Sequence, residues 1–212
     1  MDKLLDKQDF LLYIMGDCGS GKSHMCKYII KCLMKQKRYD YVIVFSPTAQ
    51  IGSKDGSYNF LPKELVHSTV DDNKLRNLMI FQKKNPNKRC LCIMDDCLGC
   101  FNKESKTFTN FCTTHRHLRT SVIFLSQYLK GLSPVCRANF SYLIISKPLS
   151  YEGLKKYKDI WFGDVDNLAK HFNHYCNRPY SFLFVNLYKN GKDKYKSIKA
   201  PPEKKEWKLE FN

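Results

Sequence analysis

"YIMGDCGSGKSHMCKY", residues 13–28, decides the fold. Gly16 is followed by four residues and then by Gly21, Lys22 and Ser23, which gives the spacing G-x-x-x-x-G-K-S. A loop of this kind turns successive backbone N–H groups toward phosphate oxygens. Its glycines let the chain take φ > 0 and come close to the anion. Gly16, Asp17, Cys18, Gly19, Ser20, Gly21, Lys22, Ser23 and His24 are therefore candidate nucleotide-binding residues. Lys22 would reach the β- and γ-phosphates of ATP, and the Ser23 hydroxyl would ligate Mg2+. By chance the pattern arises in roughly one chain of this length per hundred.

The flanks agree with the loop. "FLLYIM" (Phe10 to Met15) is a short apolar run, as a buried parallel strand should be. After the loop, Met25, Cys26, Ile29, Ile30, Leu33 and Met34 recur at helical spacing, with Lys27, Lys31 and Lys35 on the other face. Such a helix points its positive end at the phosphates. Cys18, inside the loop, reads as oxidisable or alkylatable.

Farther along, "CLCIMDD" (Cys90 to Asp96) is an apolar strand closing on two acids. Ligands collect at the C-terminal edge of parallel strands. Asp95 would hold Mg2+ there, and Asp96 would polarise the attacking water. "TSVIFLSQ" (Thr120 to Gln127) ends in a polar residue, and Gln127 could touch both the γ-phosphate and that water. On their own, two acids after an apolar run also suit a helix start.

The remaining elements follow from pattern. "YDYVIVFSPT" (Tyr39 to Thr48) reads as a strand, residues 70–84 as a helix opening near Asp71 or Asp72, and residues from about Lys103 as another. "SPVCRANFSYLIIS" holds a short helix and then a strand from about Phe140 to Ser146. Residues 150–176 look helical in two pieces broken near Gly163. "YSFLFVNLYKNGKDKYKSI" resembles a hairpin turning at Asn190-Gly191. Strands alternating with helices predict a three-layer α/β P-loop NTPase with a mainly parallel sheet. The expected organisation is one domain over 1–212, with a small hairpin and basic tail over about 178–212.

Charge and cysteine bound the partners. Lys and Arg number 36 against 20 Asp and Glu, a net charge of +16. Such a surface favours polyanions, nucleic acid first and acidic membrane second; a merely soluble basic enzyme is the plainer alternative. Asp2, Lys3 and Asp6 interrupt any signal peptide, and no apolar run approaches the ~18 residues of a membrane helix. The ten cysteines lie partly inside core elements, which suits reduced thiols. Cys97, Cys100, Cys112 and His115 have the spacing C-x2-C-x11-C-x2-H, which taken alone would suit zinc. Lys83 to Arg89 and Lys189 to Lys208 could meet DNA phosphates, with Lys192, Lys194 and Lys196 on one side of a strand.

"GDCGSGKSH", "YDYVIVFS…YNFLP", "CIMDD" and "HRHLRTSVIFLSQ…CRANFSYLII" occur in that order. The set resembles the genome-packaging ATPases of poxviruses and other large or mid-sized eukaryotic DNA viruses, virophage- and polinton-like elements included. These belong to the FtsK–HerA group of ring-forming DNA pumps. The resemblance runs from about Phe10 to Ser146 and implies an additional-strand P-loop fold, Mg-ATP hydrolysis and translocation of double-stranded DNA. It implies a pentameric or hexameric ring working at a capsid or packaging vertex. The site of virion assembly, in host cytoplasm or nucleus, or the virion itself, is the implied location. Lys22 and Ser23 correspond to the Walker A pair, Asp95 and Asp96 to the Walker B acids, and Gln127 to the sensor. Asp96 departs from the wider group, where Glu is common. Such rings take an arginine from the neighbouring subunit, and Arg116 is the first candidate, with Arg137 and Arg119 as alternatives. A small nucleotide kinase, or a nucleotide-gated DNA-binding assembly protein that does not hydrolyse ATP, remain the rival readings.

Overall fold

The computed structural model describes residues 4–49, 56–101, 105–127 and 132–202. The basic tail beyond residue 202 and the expected helix start near Lys103 lie outside the described residues.

The strands are β1 (Leu11–Met15), β2 (Tyr41–Phe45), β3 (Val66–His67), β4 (Cys90–Asp95), β5 (Thr120–Ser126), β6 (Tyr142–Ser146), β7 (Ser181–Asn186) and β8 (Tyr195–Lys199). They form one eight-stranded sheet in the order β3-β2-β4-β5-β1-β6-β7-β8. Strands β1 to β6 run parallel to their neighbours, while β7 and β8 are antiparallel. The central strands β1, β4, β5 and β6 are buried along their whole length, which is why each reads as an unbroken apolar run.

Helix α1 (Lys22–Lys35) covers one face, with Met25, Cys26, Ile29, Ile30 and Leu33 packed on Leu12, Ile14, Ile123 and Ile144. On the other face lie α2 (Asp72–Lys84), α3 (Lys106–Thr114), α4 (Pro134–Ala138), α5 (Tyr151–Trp161) and α6 (Leu168–Tyr175). Leu75, Phe111, Cys136, Tyr157 and Phe172 from these helices meet Tyr13, Cys92, Val122 and Phe124 of the sheet. Each buried side chain of this size contributes ~1.5–3 kcal/mol over its exposed state. The result is a three-layer α/β sandwich, with α1 on one face and, among the described residues, five α-helices on the reverse.

The structure adds two features to the sequence reading and changes one expectation. The strand β3 is only two residues long, too short to show a periodicity in sequence. The C-terminal hairpin continues the main sheet through pairing of β7 with β6, Ile145 opposite Leu183. Its link spans residues 187–194, so Lys192 sits in a 3-10 turn (Gly191–Asp193) and Lys194 precedes β8. Lys194 pairs with Asp164 at 3.7 Å, and of the three expected lysines Lys196 alone lies within the strand. Lysines on an edge strand discourage sheet-to-sheet pairing as readily as they meet DNA.

Candidate nucleotide site

Register decides which residues meet. Met15 lies opposite Ser126 and Ile145, and Asp95 lies opposite Leu125. Gly16, Gln127 and Asp96 are the next residues on β1, β5 and β4, so they leave the sheet side by side at one edge. Asp96 N–H donates to Leu125 O at 2.9 Å, which ties the acidic strand to β5 at that point. Neighbouring strands lie ~4.8 Å apart, so loop and acids are separated by about two strand spacings. Gln127, half-buried, stands between them.

The loop after β1 is shaped by its glycines. Gly19 and Gly21 have φ of 73° and 91°. At Gly16 a Cβ would collide with the hydroxyl oxygens of Ser146 and Ser20. Both hydroxyls are buried and without a hydrogen-bond partner, although buried polar groups normally have one. Helix α1 shows the same unmet demand. Asp71, Ser105, Ser133, Ser150 and Asn167 cap α2 to α6 through their side chains, whereas α1 opens at Gly21 with no side-chain cap and no acid in its first turn. Orphan hydroxyls and bare N–H groups at a positive helix end fit phosphate oxygens.

Lys22 curls over the loop and donates from Nζ to Gly16 O at 2.7 Å and Asp17 O at 2.9 Å. Burial lowers its pKa, and Asp96 opposes that shift. Phosphate oxygens offer this ammonium charged acceptors in place of two neutral carbonyls. Asp17 accepts from Leu149 N–H at 3.2 Å, linking the loop to the chain after β6. Cys18, Ser23 and His24 are exposed.

On β4, burial raises the pKa of Asp95, countered by a hydrogen bond from Tyr58. Tyr58 Oη donates to Asp95 Oδ2 at 2.9 Å, and Ser46 Oγ lies 3.5 Å from the same oxygen. Asp95 and Ser23 are the hard oxygen donors that suit Mg2+. Asp96 is exposed and left-handed, at φ 52° and ψ 25°. Asp tolerates that region better than most residues, which gives a local reason for Asp here in place of Glu.

The three arginines sit elsewhere. Arg116 and Arg119 immediately precede β5, around Asp9, and Arg137 ends α4 just before β6. Arg116 and Arg119 are on the N-terminal edge of the sheet, about 20 Å from the loop along the seven residues of β5, and Arg137 lies on the connection that returns to that edge. Arg116 donates to Tyr188 Oη at 2.6 Å, and Arg137 to Leu132 O at 3.1 Å. None reaches the phosphate loop of its own chain.

The zinc spacing does not gather. Cys97 faces Phe45 O at 3.0 Å, Cys112 turns to Cys136, and His115 Nδ1 meets Thr120 O at 2.9 Å. Among the described residues no three His, Cys, Asp or Glu side chains could share a metal ion, and all ten cysteines are free. Sequence reasoning missed Tyr58, Ser46 and Ser146, which lie in loops or at strand ends with no pattern to mark them.

Residues 1–179 match the family described as poxvirus A32 protein. The chain belongs to this family. An uncharacterized protein of Acanthamoeba polyphaga mimivirus is 29% identical over 155 residues, covering 65% of this chain and 52% of that protein. The chain thus spans about half the length of that curated relative. Among solved structures, the genome packaging NTPase B204 of Sulfolobus turreted icosahedral virus 2, in complex with ATP-gammaS, superposes with a TM-score of 0.71 at 17% identity, covering 92% of this chain and all of B204. The pCW3 conjugation coupling protein TcpA superposes at 0.64 with 14% identity, over 92% of this chain and 61% of TcpA. The A32-family chain therefore has the P-loop fold predicted from its glycine loop. Among its described residues no helix is long and apolar enough to cross a membrane.

Proposed function

We propose that the chain is a Mg-ATP-hydrolysing motor that drives double-stranded viral DNA into a capsid. One observation carries the reading: Gly16, Gln127 and Asp96 leave three adjacent strands at the same edge, with β5 between the loop strand and the acidic strand. Membership of the A32 family supports it, as does the fold shared with a genome packaging NTPase that takes ATP-gammaS.

In this reading the triphosphate lies along the loop N–H groups and the bare end of α1. Lys22 exchanges the carbonyls of Gly16 and Asp17 for β- and γ-phosphate oxygens. Ser23 and Asp95 hold Mg2+, which when bound neutralises charge on those phosphates. Asp96 accepts the proton of the attacking water. Gln127, one strand away, contacts that water and the γ-phosphate. Arg116, or else Arg119 or Arg137, acts on a neighbouring subunit, because the N-terminal edge cannot reach its own site. A head-to-tail pentameric or hexameric ring supplies that contact. The +16 surface meets DNA through its phosphates without reading sequence, at a packaging vertex where virions assemble in the host cell.

Phosphate release from Mg-ATP tests the chemistry. Wild-type protein should hydrolyse ATP, and Lys22→Ala should not. Phosphate transferred to added nucleoside monophosphates instead of water would establish a kinase. Tight binding of ATP with no turnover would establish a nucleotide-gated assembly protein.

A further inference from the structure

The nucleotide reading leaves the base without a partner, and the side of the loop facing β7 supplies one. Tyr180 is 63% exposed, a large aromatic left open to solvent. It stands against the last loop glycine, where a Cβ on Gly21 would lie 3.3 Å from Tyr180 Cδ1. Its backbone is left-handed at φ 58°, a conformation that a bulky side chain takes only where the surroundings impose it. Ser181 O–H and N–H both bond Arg178 O, which closes the turn that holds Tyr180 in place.

A second observation marks the same place. His24, on the first turn of α1, bonds Pro201 O at 2.8 Å. Ser181 lies opposite Lys199 on β8, so Tyr180 and the Ala200-Pro201 segment leave the sheet together. The chain after β8 therefore crosses the start of α1 beside the aromatic ring. The phosphate loop is bordered on this flank by a ring and a histidine, and on the other by the acids.

We infer that Tyr180 is the platform on which the nucleobase of ATP stacks, beside His24 and the Pro201 segment. The inference rests on the loop binding a nucleotide. A ring contacts any base through its π-face, and such stacking is lost with the aromatic. The strained backbone holds the ring against Gly21, beside the start of α1. No hydroxyl chemistry is needed, so Phe can replace Tyr.

Binding of Mg-AMPPNP and of Mg-tripolyphosphate, which has no base, to the full chain separates the possibilities. Tyr180→Ala should weaken the nucleotide about 5- to 150-fold and leave tripolyphosphate within about twofold. Tyr180→Phe should match wild type for both. Tyr180→Gly relieves the backbone strain, so it should melt no lower than wild type and still lose nucleotide affinity. Equal weakening of both ligands would mean that Tyr180 only props the loop, and unchanged nucleotide affinity would mean that the base lies elsewhere. Either result overturns the inference while leaving the loop's role intact. Wild-type protein that binds neither ligand would remove the nucleotide reading itself.

Discussion

Tyr58 donates its hydroxyl to Asp95 at 2.9 Å, across 37 residues of sequence. The bond fixes the one buried carboxylate among the described residues, at the sheet edge. Tyr58 is itself buried beside Phe60, in the segment between β2 and β3 that closes the α1 face. Asp95 is thus oriented from a loop.

Tyr58→Phe keeps the ring and removes the bond. Asp95 then loses a contact that favours its charged form, and a buried acceptor is left poorer, a loss of ~1–3 kcal/mol. The Mg2+ needed for half-maximal turnover should rise several-fold, and the acidic limb of the pH–rate profile should move to higher pH. A magnesium titration at two pH values checks both.

Burial raises the folded pKa of Asp95 above its unfolded value. Between those two values the folded state holds more protons, so this group's contribution favours folding below the unfolded pKa and is lost as pH rises through the folded pKa. At neutral pH, above the unfolded pKa, the metal-free protein therefore bears the cost of burying this acid. Asp95→Asn should melt higher than wild type without Mg2+ near pH 7, and adding Mg-ATP should raise its melting temperature less. Matched melting scans with and without Mg-ATP decide it.

Asp96→Asn suits the left-handed backbone and removes only the base. ATP affinity should hold while turnover falls by about 10²–10⁴. Asp96→Ala should add a stability loss of ~1–2 kcal/mol, because alanine is strained at positive φ. Full activity in the Asn variant would remove Asp96 from the base role.

Gly16→Ala forces a methyl group onto the Ser146 and Ser20 hydroxyls. Overpacking of this kind costs about 1–3 kcal/mol, and nucleotide binding should be lost. Adding Ser146→Gly opens the space and should recover part of the stability. Urea denaturation of the single and double variants measures this.

The strands that carry the site were legible because β1, β4 and β5 are buried on both faces, and such strands read as apolar runs ending at the functional edge. Helix α2 was legible through its cap, Asp71 accepting from Lys74 N–H at 2.8 Å. What escaped had no local signal. Two-residue β3 carries no periodicity, and Tyr58, Ser146 and Tyr180 reach the loop or the acids only through tertiary folding. Lys192 and Lys194 were misread as strand residues because a run of alternating lysines looks the same in a turn. The arginines were found as residues, but only the sheet shows that they occupy the edge opposite the loop.

Arg116, on that opposite edge, makes the strongest demand on the proposed mechanism, which requires it to act in a neighbour's site. The most direct test is ATP turnover with and without duplex DNA, measured alongside oligomer mass, for wild type and for Arg116→Ala mixed with Lys22→Ala. The account predicts DNA-stimulated turnover by a ring, a loss of about 10³ in Arg116→Ala with ATP affinity spared, and partial recovery in the mixture as composite sites form. Full turnover by a dilute monomer, indifferent to DNA and with no recovery on mixing, would contradict it.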